Sequence, residues 1–352
     1  MKYLVKNIAF ISEHASPLAH LGGVDTGGQN VYVAQLAKFL VSCGCTVDIY
    51  TRWENHGMPL VVDWLPGVRV IHVKAGTISV LPKEQLLSLM DEFRNNMLTF
   101  MKDGGLTYDL IHANFFMSAM VAAEIKRVLG IPYVVTFHAL GHIRRIHQGT
   151  NDQFPEERLQ IETDAAQFAD AVIAECPQDR DDLINYYGVS VDKISIVPCG
   201  FSPEEFHPVD KLVARKKVKV PEKEFVMLQL GRMVPRKGVD NVVRALGKLK
   251  AMGKQAKLVI VGGQHEDPTV AHDLEIERLK TIARESGILD SIQFAGRKCR
   301  EQLKYRIRRL ITLIFLIKKG LGENHSFNQS VEQSVRVFKP VKTIAKLINI
   351  LL

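Results

Sequence analysis

Most of this chain alternates short apolar runs with stretches of helical spacing, and the alternation starts over once. The runs Ile8–Ser12, Val47–Thr51, Val68–Val73, Leu110–His112, Tyr133–Phe137, Ala171–Ala174 and Ile194–Val197 have strand length, and Asn30–Ser42 between the first two has helical spacing. Continuous apolar runs suit strands buried on both faces, so the pattern predicts a parallel sheet covered by helices on either side. Pro198–Pro208, with three prolines and a glycine, reads as a linker. A second series follows: Phe225–Leu230, the helical stretch Val239–Met252, Lys257–Gly262 and Ile292–Phe294. The 352 residues, 46% hydrophobic, supply full cores for about two or three domains. The expected fold class is α/β, with an N-terminal domain over 1–200 and a partial second domain over 201–304.

After about Leu303 the texture changes. From Glu301 to Leu352 ten Lys and Arg stand against three acids, so nearly all of the net charge of +8 lies there and residues 1–300 are almost neutral. That distribution argues against a nucleic-acid partner, whose phosphates would be met by a basic face of the folded domains. Residues 305–352 read as an atypical basic tail. An amphipathic membrane-surface helix over Lys304–Lys319 or Val341–Leu352 is one reading of it. A tail unrelated to the preceding domain gives the same texture, and membrane association is not expected. No long apolar run lacks charges, and the N-terminus enters a strand without a signal-peptide pattern, so the expected location is cytoplasmic. Cys43, Cys45, Cys176, Cys199 and Cys299 are odd in number and scattered, which suits reduced thiols rather than a disulfide frame or zinc site.

Two segments have the composition of anion sites. Gly231–Asp240 (GRMVPRKGVD) places Arg232 and Lys237 in a glycine-bounded turn between a strand end and a helix start. A planar guanidinium and a mobile ammonium there suit a diphosphate, and a solvated basic turn is the alternative. Gly22–Tyr32 (GGVDTGGQNVY) follows the first strand and opens the first helix, where backbone N–H groups can face an anion. It is not a dinucleotide fingerprint, because the G-x-G-x-x-G spacing is absent. Gln29 and Asn30 add amides able to read a polyhydroxylated ligand. His138 in TFHALG, and His112 in IHANF, end strands where parallel sheets place binding residues, although lone histidines are more often structural. Arg144, Arg145, His147 and Arg158 form a basic group that suits a solvated helix face or an anion pocket.

GGVDTGGQNVYVAQLA, IHANFFMSA, VVTFHALG, ADAVIAECPQDRDDL, VPCGFSPEEF and GRMVPRKGVDNVVRAL, in this order and spacing, closely resemble family 4 retaining glycosyltransferases of the GT-B fold, nearest the sucrose-phosphate synthase and sucrose synthase branch. The resemblance covers about residues 6–304. It implies two facing Rossmann-like domains, the first binding the acceptor sugar and the second a nucleotide-sugar such as UDP-glucose, with neither a cofactor nor a metal. By the same resemblance, Gly27 and Gly28 contact the donor phosphate and sugar, and Gln29 lies near the acceptor. Arg232 and Lys237 neutralise the departing diphosphate, His138 contacts the transferring hexose, and Arg158 holds a phosphorylated acceptor.

One departure stands out. The family places an E-P-F-G-type segment with a second glutamate, E-x7-E, after the region matched by GRKCREQLKY, whereas here RIRRLITLIFLIKKGLG follows and Glu323 and Glu332 lack the Pro-Phe-Gly context. Those acids would hold the nucleotide ribose and support the sugar hydroxyls. The expectation is therefore a second domain truncated or frameshifted after about residue 304. The function expected is hexosyl transfer to a sugar or sugar-phosphate, inactive if those acids are essential. The alternative is a non-catalytic remnant that binds sugar or sugar-phosphate.

Overall fold

The computed structural model describes residues 5–19, 27–207, 209–234, 237–263, 265–269, 273–307 and 312–313. By its internal contacts the chain divides into two compact units, parted in sequence at Gly200 and Phe201. The first unit holds β1 (Asn7–Ile11), α1 (Gly28–Ser42), β2 (Thr46–Arg52), β3 (Val61–Leu65), β4 (Val68–Val73), α2 (Met90–Asp103) and β5 (Leu110–Asn114). It continues through α3 (Phe116–Leu129), β6 (Tyr133–Thr136), α4 (Gly141–Gln148), α5 (Glu157–Phe168), β7 (Ala171–Ala174), α6 (Pro177–Tyr187) and β8 (Ile194–Ile196).

These strands form one sheet in the order β3-β4-β2-β1-β5-β6-β7-β8, parallel except for the β3–β4 pair. The order reverses at β1, whose Ile8 pairs with Val47 on one side and Leu110 on the other. The crevice outside the carboxyl ends of β1 and β5 is thus a topological switch point, where open α/β sheets bind ligands. Alternate residues of β1 serve opposite cores. Ile8 and Phe10 pack with Val33, Leu36 and Leu40 of α1, while Ala9 and Ile11 pack with the layer holding Phe93 and Met97 of α2 and Phe116 of α3. Fully burying each large apolar side chain contributes about 1.5–3 kcal/mol, so a one-residue slip of this central strand is strongly disfavoured.

The second unit holds α7 (Lys211–Lys217), β9 (Val226–Leu230), α8 (Val239–Ala251), β10 (Lys257–Val261), α9 (Leu274–Glu285), β11 (Ile292–Phe294), α10 (Arg300–Ile307) and β12 (Thr312–Leu313). Its described strands form a parallel sheet in the order β11-β10-β9-β12. Met227, Leu258 and Ile260 pack against Val239, Val242, Val243 and Leu246 of α8 and Leu279 of α9, while Val226, Leu228, Val259 and Val261 face the other side.

The expected strands occur with ends shifted by at most two residues. The pattern passed over β3, a half-buried antiparallel edge strand joined to β4 through Pro66 and a left-handed Gly67 (φ 79°). It also passed over α7, capped by Asp210, whose carboxylate accepts from the Leu212 and Val213 amides at 2.8 and 3.1 Å. The texture break expected after residue 304 falls inside α10, and Thr312 and Leu313 pair with Met227 and Leu228 of β9. The rest of the basic tail, residues 308–311 and 314–352, lies outside the described residues, as do Gly22 to Thr26 of the glycine-rich segment. All five cysteines are free thiols. Among the described residues no helix is long and apolar enough to cross a membrane.

Candidate active site

In the first unit Gln29 and His138 are brought together at the carboxyl ends of β1, β5, β6 and β7. Gly27 is the residue before α1, Gly28 its first residue and Gln29 its second. No side chain caps this helix; Asn30 instead reaches back, its Oδ1 accepting from the Gly27 amide at 2.8 Å while its Nδ2 donates to the Ser16 carbonyl. Gln29 spans the switch point, its Nε2 donating to the Asn114 carbonyl at 3.1 Å and to Ser12 Oγ at 3.4 Å. The amide of Gln29 thus ties the helix start to the ends of β1 and β5.

His138 follows β6 with φ 59°, and Phe115 follows β5 with φ 90°. Left-handed backbone at two non-glycine residues on neighbouring strand ends stores roughly 1–3 kcal/mol each, a strain that concentrates at functional sites. The His138 ring sits between acceptors: Nε2 lies 3.1 Å from Asn114 Oδ1 and Nδ1 lies 3.4 Å from Glu175 Oε1. Tyr32 packs edge-on against it with ring centroids 4.8 Å apart. A cavity of about 60 Å³ lined by Phe137, His138, Glu175, Asp179 and Leu183 lies beside this turn. His112 is interior: its Nε2 meets Thr136 Oγ1 at 2.9 Å, and burial, then the neighbouring His138, pushes its pKa down to about 3. It is therefore a neutral structural histidine.

The basic group after β6 separates into different roles. Arg144 pairs with Asp152 at 2.7 Å and lies over the Phe154 ring. Arg145 stands 4.0 Å from the exposed Glu156. Arg158 is 1% exposed, sandwiched among Phe115, Phe116 and Phe154. Its Nε donates to Glu162 at 2.7 Å and its Nη2 to the Ala139 carbonyl at 2.6 Å, while Nη1 is buried with no hydrogen-bond partner among the described residues. A buried donor without a partner costs about 1–3 kcal/mol, more when charged, unless something supplies an acceptor.

In the second unit Arg232 and Lys237 lie on the turn between β9 and α8, both half-buried, the Lys237 amide donating to the Val234 carbonyl at 3.0 Å. Three strands end in glycines at this edge: Gly231 after β9, Gly262 after β10 and Gly296 near the end of β11. The Gly262 amide donates to the Gly296 carbonyl at 3.0 Å and the Gly231 amide to the Val261 carbonyl at 3.1 Å. The backbones approach so closely that a Cβ on Gly262 would lie 1.9 Å from the Gly231 oxygen. Arg297 and Lys298 follow Gly296 at the same end of the sheet.

Sequence reasoning passed over Asn114, Glu175 and Gly262. Each ends or follows a strand, which was the available signal; their partners come from distant parts of the chain. Among the described residues no cluster of three His, Cys, Asp or Glu is arranged to hold a metal ion.

The candidate site residues thus lie at strand carboxyl ends in two α/β units, one of which carries the Arg–Lys turn. The chain belongs to the glycosyltransferases: residues 26–205 match Glycosyltransferase Family 4 and residues 210–324 match Glycosyl transferases group 1. The second match extends past the boundary expected near residue 304. D-inositol 3-phosphate glycosyltransferase 2 of Catenulispora acidiphila is 35% identical over 301 residues, covering 84% of this chain and 69% of that protein. D-inositol 3-phosphate glycosyltransferase of Acidothermus cellulolyticus is 34% identical, covering 82% of this chain and 65% of its own length. The chain thus spans about two thirds of these relatives. A sucrose-phosphate synthase structure from Thermosynechococcus elongatus superposes with a TM-score of 0.75 at 30% identity, covering 86% of this chain and 73% of that one. These likenesses establish the GT-B class of fold.

Proposed function

We propose that this chain is a retaining hexosyltransferase that takes its sugar from a nucleotide-sugar such as UDP-glucose and passes it to a phosphorylated polyol or sugar. The observation that carries the donor half is the Arg232–Lys237 turn at the carboxyl end of β9. Breaking a glycosyl–phosphate bond builds negative charge on the diphosphate as the sugar becomes oxocarbenium-like, so preorganised cations supply the main stabilisation. The C1–O bond to the diphosphate breaks, the acceptor oxygen bonds C1 on the same face, and the acceptor proton passes to a diphosphate oxygen. Gly27 and Gly28 leave room for donor phosphate and sugar, and His138 reads the hexose.

For the acceptor, Arg158 supports a phosphorylated ligand, because its Nη1 has no hydrogen-bond partner among the described residues. The relatives are named for D-inositol 3-phosphate and the structural neighbour for sucrose-phosphate, two phosphate-linked chemistries. We favour the shared feature, a phosphomonoester beside a hydroxyl, over either molecule alone, with Gln29 near that acceptor. The enzyme would work in the cytoplasm without a cofactor or metal.

The test incubates the whole chain with UDP-glucose and, in separate reactions, inositol 3-phosphate, fructose 6-phosphate and their dephosphorylated counterparts, with products identified by mass. Transfer confined to the phosphorylated acceptors supports the proposal. Transfer to the dephosphorylated compounds alone contradicts its acceptor half, and donor binding without transfer to any acceptor points to the sugar-binding remnant.

A further inference from the structure

Glu175 follows β7 and is held at both ends. Its amide donates to Asp179 Oδ2 at 3.1 Å in the first turn of α6, and its Oε1 accepts from Cys199 Sγ at 3.1 Å. The same Oε1 lies 3.4 Å from His138 Nδ1. On the opposite edge of the ring the roles are settled by a neighbour: Asn114 Nδ2 donates to the His112 carbonyl at 3.2 Å, which leaves Asn114 Oδ1 as an acceptor 3.1 Å from His138 Nε2.

Glu175 is a carboxylate here. Burial raises its pKa, but the hydrogen bond and charge of His138 and the hydrogen bond from Cys199 outweigh that and bring it below the ordinary value. Cys199 is exposed as a residue, with its sulfur turned onto Glu175. Desolvation there and the carboxylate's charge push the thiol well up, so it remains a donor. The other ionisable groups facing this pair are Asp179, next to Glu175, and Tyr32 and His112, which flank His138.

We propose that Glu175 is a positioning residue for His138: its carboxylate accepts from Nδ1–H and so holds Nε2–H, which donates to Asn114 Oδ1, toward the place where a substrate oxygen would accept from it. Asn114 occupies Nε2 until a sugar hydroxyl takes its place, and Glu175 stays on Nδ1 throughout. A carboxylate on one imidazole nitrogen fixes the orientation of the ring, as the buried aspartate does in hydrolase triads; here both nitrogens face acceptors, so both donate. The thiol of Cys199 orients the carboxylate in turn. The kinetic consequence rests on the transferase reading above; the geometry does not.

The test compares the full chain with Glu175→Gln, Glu175→Asp and Cys199→Ser, using the exposed Asp192→Asn as a control. In the transfer assay Glu175→Gln is expected to lower kcat about 10- to 100-fold through mispositioning, with the donor KM little changed, and Glu175→Asp and Cys199→Ser to retain most of the rate. An unchanged kcat in Glu175→Gln overturns the proposal, as does an equal loss in Gln and Asp. Nitrogen-15 spectra of the histidine rings provide a readout that needs no turnover. The Nδ1 resonance of His138 is expected to move in Glu175→Gln and to stay in Asp192→Asn. If it stays in both, the proposal fails even for a chain without activity, whereas a chain that shows this shift but no transfer overturns only the transferase reading.

Discussion

Arg158 donates from Nε to Glu162 Oε1 at 2.7 Å, one helical turn apart on α5, with both side chains buried. The pair clamps the turn that carries His138. Arg158 also holds the Ala139 carbonyl, while Glu162 Oε2 accepts from the Gly141 amide at 2.8 Å and the Tyr187 hydroxyl at 2.6 Å.

Removing Arg158 leaves a buried carboxylate without its cation. Arg158→Ala is therefore expected to cost about 3–5 kcal/mol in urea unfolding, as broken buried pairs do. If Arg158 served only an acceptor phosphate, the same variant would unfold normally and show only a raised acceptor KM. A phosphate on Nη1 predicts both effects together, which equilibrium unfolding and acceptor kinetics separate.

Gly262 is expected to tolerate no side chain. Gly262→Ala must part the turns after β9 and β10, because its Cβ would collide with the Gly231 carbonyl and its φ of 150° strains any L-residue. The expected loss is roughly 1–3 kcal/mol of stability. Weaker nucleoside diphosphate binding should accompany it, since the displaced turn carries Arg232. Thermal unfolding and calorimetric titration check the two; normal values for both would mean the close approach is immaterial.

His112 gives a pH signature. Its folded-state pKa of about 3 lies below the ordinary 6.5, so the folded state favours the neutral ring. That contribution is complete above about 6.5 and is lost as pH falls toward 3, because the unfolded chain takes up the proton first. Stability of the wild type should fall over this window, and His112→Gln should flatten the fall. Equal slopes for the two proteins in urea melts across the window would contradict the assignment.

Much of this was legible in the sequence because parallel strands buried on both faces announce themselves as apolar runs. Ala171–Ala174 (AVIA) is such a run and became a strand over those residues, and Ile8–Ile11 (IAFI) is another, inside β1. Val61–Leu65 escaped because an edge strand with one solvated face carries Asp63 in its middle and lacks that continuous run. Arg232 and Lys237 could be singled out because a short turn contains both. The surroundings of His138 could not: Asn114, Glu175 and Cys199 are brought together by strand order, which spacing along the chain does not encode. Arg158 read as one of a basic group suited to a solvated helix face or an anion pocket, and only the aromatic rings around it reveal an interior group.

The most direct measurement is a calorimetric titration of UDP-glucose into the whole chain and into the Arg232→Ala/Lys237→Ala double variant. Each charge-assisted hydrogen bond to the diphosphate contributes about 1.5–3 kcal/mol, and about 1.4 kcal/mol is a tenfold change in affinity. The account predicts saturable binding by the wild type, weakened by at least about 100-fold in the double variant, with unfolding curves unchanged. No binding by the wild type, or equal binding by both proteins, would contradict it.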